Sequence, residues 1–162
     1  MHENKMVMEF IGILLGIILL TGFSILIRFL KKAKSDIQKK IAQRYQGHHI
    51  VLKDNSANFF GKGSLKSKQV RGNGILILTE DEIYFSMFLP RKEIIVPLHS
   101  IQNIETPKSF LGKTKFKPLL KISFEACHGV QDSAAWLVRD VEKWKKEIQN
   151  RIPKQRKEAF SL

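Results

Sequence analysis

The sequence predicts an α+β protein dominated by β-structure. A membrane-spanning helix comes first, then a curved antiparallel sheet or open barrel, then one C-terminal helix plugging that barrel. Three observations predict it. Phe10–Ile27 is apolar and carries no charge. Short β-rich apolar runs separated by turn signals follow from Gly74 to Val138. After Asp140 the apolar spacing changes from the period of a strand to that of a helix.

The first element is the plainest. Phe10–Ile27 reads F-I-G-I-L-L-G-I-I-L-L-T-G-F-S-I-L-I, and thirteen of its eighteen residues are Leu, Ile or Phe. Eighteen helical residues rise about 27 Å, close to the hydrocarbon thickness of a bilayer. Those thirteen side chains favour insertion by roughly 4 to 8 kcal/mol before end effects. A buried soluble helix normally keeps a polar stripe, and this run has none. A cleaved secretory signal fits poorly. The leader holds Lys5 against Glu3 and Glu9, the apolar core is long, and no A-x-A pattern follows. Arg28, Lys31, Lys32 and Lys34 come directly after the run. A basic flank belongs on the cytoplasmic side, so the expected topology places residues 1–9 outside the cell membrane and everything beyond the span inside.

The expected organisation is a short outer segment 1–9, a transmembrane helix 10–30, a basic juxtamembrane segment 31–47, a domain 48–152 and a basic tail 153–162. Beyond the span and its flanks roughly 115 residues remain, enough for one core. The lone Cys127 excludes an internal disulfide. Lys and Arg number 28 against 15 Asp and Glu, a formal charge of +13, which attracts polyanions. For a tethered chain the nearest polyanion is the anionic lipid surface.

Gly12 and Gly16 have the G-x-x-x-G spacing that lets two helices approach closely, so homodimerisation through the span is an expectation. In Lys31–Gln46, Ile37, Ile41 and Tyr45 recur every fourth residue and make one helical face apolar. Arg28, Lys31, Lys32, Lys34, Lys39, Lys40 and Arg44 form the juxtamembrane positive set. Two readings stand: a solvated linker, or a helix lying against headgroups, where each charge is worth about 1 kcal/mol. Gly47 ends the helical pattern, and His48-His49 read as linker, since adjacent strand side chains diverge and no third ligand is near.

Val51–Gly74 is polar and glycine-punctuated, with Asn58-Phe59-Phe60 as a short strand or anchor. Residues 61–74 read as a loop holding Lys62, Lys66, Lys68 and Arg71 with no acidic residue, a set suited to phosphate groups. Lys66 and Lys68 share a face if the stretch is extended. A solvated loop is the competing reading. The pattern G-x-x-x-x-G-K-[ST] is absent, which argues against a nucleotide cradle.

Strands are expected at 75–79 and 83–88 around a Glu80-Asp81-Glu82 turn, at 93–98, at 119–124 and at 134–138. Ile101 and Ile104 continue the apolar spacing, 109–117 is a basic loop, and 127–132 is a turn. Asp140 is a good helix N-cap. Val141, Trp144, Ile148 and Ile152 then line one helical face, which Pro153 terminates.

The stretch Gly74–Ile104 resembles GRAM and bacterial pleckstrin-homology-like domains. The residues that carry the likeness are Gly74-Ile75-Leu76-Ile77-Leu78-Thr79, then Ile83-Tyr84-Phe85, then Val96-Pro97-Leu98 with Ile101 and Ile104. The closing helix with Trp144 is similar to the C-terminal helix of that family. The resemblance covers roughly residues 55–152 and implies a seven-stranded, strongly bent antiparallel barrel capped by one helix. It also implies binding of membrane lipids or proteins rather than catalysis. The family's basic early-strand loops correspond in region to Lys66, Lys68 and Arg71, though the spacing differs from the full phosphoinositide motif.

No catalytic or metal-binding constellation emerges, and no cofactor is implied. Cys127 and His128 are adjacent and diverge in an extended chain. Glu80-Asp81-Glu82 are expected to face water, with nothing nearby to raise a carboxyl pKa. The first functional reading is a membrane-tethered, non-enzymatic module whose Lys62, Lys66, Lys68 and Arg71 contact anionic lipid headgroups. The alternative is an adaptor subunit that binds another membrane protein through a strand edge or helix groove. Nucleic acid is disfavoured, because the basic stretches lack interleaved aromatics for stacking.

Overall fold

The computed structural model describes residues 2–66, 68–126 and 129–152, without the side chains of residues 2–7, 9 and 10. The tail 153–162, with Pro153, and the Cys127-His128 pair lie outside the described residues. The chain forms two units, Met1–Ile41 and Ala42–Leu162.

The first unit is helical. Helix α1 runs His2–Arg44, its last residues belonging to the second unit. The expected division between a span at 10–30 and a separate segment at 31–47 is therefore not a break, and the leader is helical from His2. Lys, Gln, Ala and Arg are good helix formers, so nothing after Leu30 interrupts the turn-to-turn hydrogen bonding. Among the described residues this is one helix long and apolar enough to cross a membrane. Its apolar side chains are exposed on every side, from Ile11, Ile13 and Leu14 to Phe29 and Leu30. The two hydroxyls of its apolar run are already satisfied: Thr21 donates to the carbonyls of Ile17 and Ile18 (2.9 Å each), and Ser24 to Leu20 (2.8 Å). Such bonding removes most of the cost of placing them in hydrocarbon. A Cβ added at Gly12 or Gly16 would meet nothing within 4 Å.

After α1 the chain turns through Gly47 (φ +77°), with His48 N–H donating to the Tyr45 carbonyl at 3.0 Å. Five strands follow: β1 (Leu52–Lys62), β2 (Gly72–Leu78), β3 (Glu82–Met87), β4 (Lys92–Pro97) and β5 (Ile101–Glu105). A small hairpin comes next, β6 (Ser109–Phe110) with β7 (Lys113–Thr114), inside what the sequence reads as a plain basic loop. Then come β8 (Leu120–Glu125) and β9 (Gln131–Leu137). Apart from the hairpin these strands form one antiparallel sheet of seven, in the spatial order β4-β3-β2-β1-β9-β8-β5. Helix α2 (Val141–Arg151) closes the fold, capped by the Asp140 carboxylate accepting from Lys143 N–H at 2.9 Å.

The central strand is the one the sequence understated. β1 has eleven residues and pairs with β2 through Leu52–Phe59 and with β9 through Asn58–Lys62. Register shifts between Asp54 and Ala57 and between Phe59 and Gly61 let it bend from one partner to the other. Its polar composition hid it: Ser56 bonds locally to Asp54, Asp54 also accepts from Arg139 N–H, and Asn58 donates across the sheet to Asn73.

The resemblance motif has a packing explanation. A Cβ at Gly74 would collide with the Ser86 carbonyl and the Phe85 ring. Thr79 pins the β2–β3 turn, its hydroxyl accepting from Glu82 N–H at 3.1 Å while its own N–H donates to the Glu82 carbonyl at 3.0 Å. Inside the sheet, Phe59, Phe85 and Trp136 meet with ring centroids 5.5–6.0 Å apart, and Trp144 and Ile148 of α2 are buried in the same apolar core. Ile75, Ile77 and Tyr84 are buried on the opposite face, where Tyr45 meets Tyr84 edge-on at 5.8 Å. Burial on both faces explains why 75–78 reads as an unbroken apolar run.

Candidate functional site

The basic stretch after β1 is a braced loop. Residues 63–65 make a 3-10 turn and Lys66 takes a positive φ of 55°. Lys66 and Lys68 are therefore not consecutive same-face positions of an extended strand, as the spacing suggested. One buried carboxylate organises the entrance. Asp132 on β9 accepts from Ser64 N–H (2.9 Å), Ser64 Oγ (2.8 Å) and Ser133 N–H (2.8 Å), and pairs with Lys62 Nζ at 2.9 Å. Burial by itself raises the pKa of this carboxyl, but the bonds from Lys62, Ser64 and Ser133 more than offset it and hold it below the ordinary value.

Gln69 stitches the other side. Its amide donates to the carbonyls of Lys62 and Lys66 (2.6 Å each), and its Oε1 accepts from Lys62 N–H at 2.9 Å. From the β6–β7 hairpin, Lys113 Nζ donates to the Gln69 carbonyl at 2.7 Å. The hairpin itself sits on a small second cluster of Phe60, Phe110, Leu119 and Ala135.

The four cations expected to hold headgroups thus divide. Lys62 is committed to Asp132. Arg71 lies 3.8 Å over the Phe60 ring and donates to Asn58 Oδ1 at 3.0 Å, so its planar group is a packing element. Lys66 and Lys68 are exposed. One cation the sequence did not single out joins Lys62. Lys92, at the start of β4, lies 5.1 Å from the Phe59 ring centre, and its pKa is lowered first by burial and then by the Lys62 charge. Its position at a strand start carries no local signal; only the fold brings it beside Lys62.

The juxtamembrane set divides as well. Arg28, Lys31, Lys32, Lys34, Lys39 and Lys40 are exposed on α1. Arg44 is engaged: its Nη2 and the Tyr45 hydroxyl both donate to Glu82 Oε1, at 3.1 and 2.6 Å, and its guanidinium sits 4.9 Å over the Tyr84 ring. Burial, then the Glu82 hydrogen bond, raises the Tyr45 pKa well above the tyrosine range. The Glu80–Glu82 turn therefore does not simply face water. Glu82 anchors Arg44 and Tyr45, and Glu80 pairs with Arg151 at 3.2 Å. A cleft of about 300 Å³ beside them is lined by Arg44, Tyr45, His48, Thr79, Asp81 and Glu82. Among the described residues no group of three metal-ligating side chains occurs.

A last feature escaped the sequence. Phe116 has φ +55° and is 87% exposed. A left-handed backbone at a bulky residue costs on the order of 1–3 kcal/mol unless its surroundings hold it. Here Phe116 N–H donates to Thr114 Oγ1 (2.9 Å), and the Thr114 hydroxyl donates to the Lys108 carbonyl (2.6 Å).

No family model matches this chain, and no curated protein matches its sequence. Among solved structures it is similar to the C-terminal domain of an unknown protein from Leishmania infantum. That match has 11% identity and a TM-score of 0.53, and covers 72% of this chain and 95% of that one. It is also similar to a chain of the 8S snRNP assembly intermediate, at 7% identity and a TM-score of 0.48, covering 64% and 81% respectively. The first is a likeness of fold alone.

Proposed function

We propose that this chain is a membrane-anchored, non-enzymatic binding module of the GRAM or bacterial pleckstrin-homology-like type, whose sheet domain contacts anionic lipid headgroups at the cytoplasmic leaflet. The observation that carries the reading is the braced 63–71 loop. Lys62, at the end of β1, and Arg71 hold it in place while Lys66 and Lys68 project from it into solvent. A seven-stranded antiparallel sheet closed by one helix is the architecture the resemblance implies. The apolar helix supplies the anchor, and its basic flank favours the cytoplasmic orientation. Tethering raises the effective lipid concentration, so that the weak contacts of two exposed lysines count.

The test is cosedimentation of residues 42–162 with phosphatidylcholine vesicles, with and without phosphatidylserine, circular dichroism confirming the folded sheet. Binding should require the anionic lipid. Lys66→Ala with Lys68→Ala removes two contacts of about 1 kcal/mol each, so partitioning should fall about 30-fold at low salt. Equal binding to neutral vesicles, or an unchanged double variant, defeats the proposal.

A further inference from the structure

We propose that Phe116 is an apolar wedge that enters the boundary between headgroups and acyl chains of an anionic bilayer, flanked by Lys115 and Lys117 on the lipid phosphates. The inference rests on the lipid-binding reading above and adds a second kind of contact to it. Among the described residues Phe116 is the most exposed large apolar side chain, more so than any in the apolar helix. Its exposure is built rather than slack, because the Thr114 and Lys108 hydrogen bonds hold the left-handed turn that presents the ring.

Charge argues for lipid as the occupant. Residues 106–119 contain Lys108, Lys113, Lys115 and Lys117 and no acidic residue. The same hairpin is bonded through Lys113 to the Gln69 carbonyl, and the next residue, Val70, is 64% exposed. Two basic loops, each with an apolar side chain in solvent, are thus tied together. An isolated apolar ring in water costs free energy that insertion recovers, and cations beside it complement phosphates. The covalently attached helix of membrane-spanning length brings a bilayer within reach of such a surface.

The experiment uses the full chain carrying Phe116→Trp, reconstituted into phosphatidylcholine vesicles with or without phosphatidylserine, part of the lipid brominated along its acyl chains. Trp136 and Trp144 are buried, so the unsubstituted chain supplies the background. The emission added by the substitution should be blue-shifted and quenched in anionic vesicles, and should return toward the water-exposed spectrum with Lys115→Glu and Lys117→Glu. Phe116→Ala, which adds no probe, should leave Lys115 and Lys117 open to amine-reactive labelling that anionic vesicles otherwise block. In parallel, amine labelling of Lys66 and Lys68 reads the headgroup contact independently. Protected Lys66 and Lys68 with an unquenched indole in the F116W chain overturn the wedge and leave the headgroup reading standing. Unprotected lysines together with an unquenched indole overturn both. Equal quenching in neutral vesicles overturns the requirement for anionic lipid. An unquenched F116W chain that instead crosslinks to a second protein through this hairpin assigns the surface to protein docking and overturns the wedge.

Discussion

Replacing Asp132 tests how the basic loop is held. The carboxylate is 2% exposed as a side chain, receives three hydrogen bonds from Ser64 and Ser133, and pairs with Lys62. Asp132→Ala strands the Ser64 and Ser133 donors and removes the carboxylate paired with Lys62. Breaking a buried ion pair costs about 3–5 kcal/mol. Lys62 keeps 29% of its side chain in solvent and can turn toward water, so the lower end, about 3 kcal/mol, applies. Asp132→Asn keeps an acceptor and should cost about half as much. A carboxyl whose folded pKa lies below its unfolded value stabilises the fold above the unfolded pKa, near 4, and that contribution disappears as pH falls through the folded value. The gap between the native chain and Asp132→Asn should therefore close below about pH 4. Urea unfolding followed by the fluorescence of buried Trp136 and Trp144 measures both effects. An Ala variant within about 0.5 kcal/mol of the native chain, or a gap independent of pH, would refute the argument.

Two neighbouring contacts carry predictions of their own. Arg71→Lys keeps the charge but loses the planar stack on Phe60 and the bond to Asn58, so stability should fall by about 1 kcal/mol in the same unfolding assay. Glu82→Gln removes the carboxylate facing the Tyr45 hydroxyl, so the Tyr45 titration, followed by ultraviolet absorbance, should move down toward the ordinary tyrosine value while burial keeps it above that value.

Residues whose role is set by their neighbours in sequence were legible. The apolar helix, the β2–β3 hairpin around Thr79, the Asp140 cap and the buried Trp144–Ile148 face all follow from local pattern. β1 was half hidden, because its polar residues are satisfied by hydrogen bonds to Asn73 and Arg139 and its register shifts twice, neither of which a period-two pattern encodes. The candidate site was legible as a concentration of lysines and no further. Composition cannot distinguish the structural Lys62 and Arg71 from the exposed Lys66 and Lys68, since all four carry the same charge on the same short segment.

By itself the sequence determined that one stretch is long and apolar enough for a bilayer and that the remainder is a small basic β-rich domain, because hydrophobicity and charge are sums over residues. Tertiary structure alone decided which cations are occupied, since Asp132 lies 70 residues from Lys62 in the chain yet 2.9 Å away in space. It also decided that Phe116 is held outward, because the turn that exposes the ring depends on the bond from Phe116 N–H to the Thr114 hydroxyl, and on that hydroxyl's bond to the Lys108 carbonyl, which no pattern in the sequence announces.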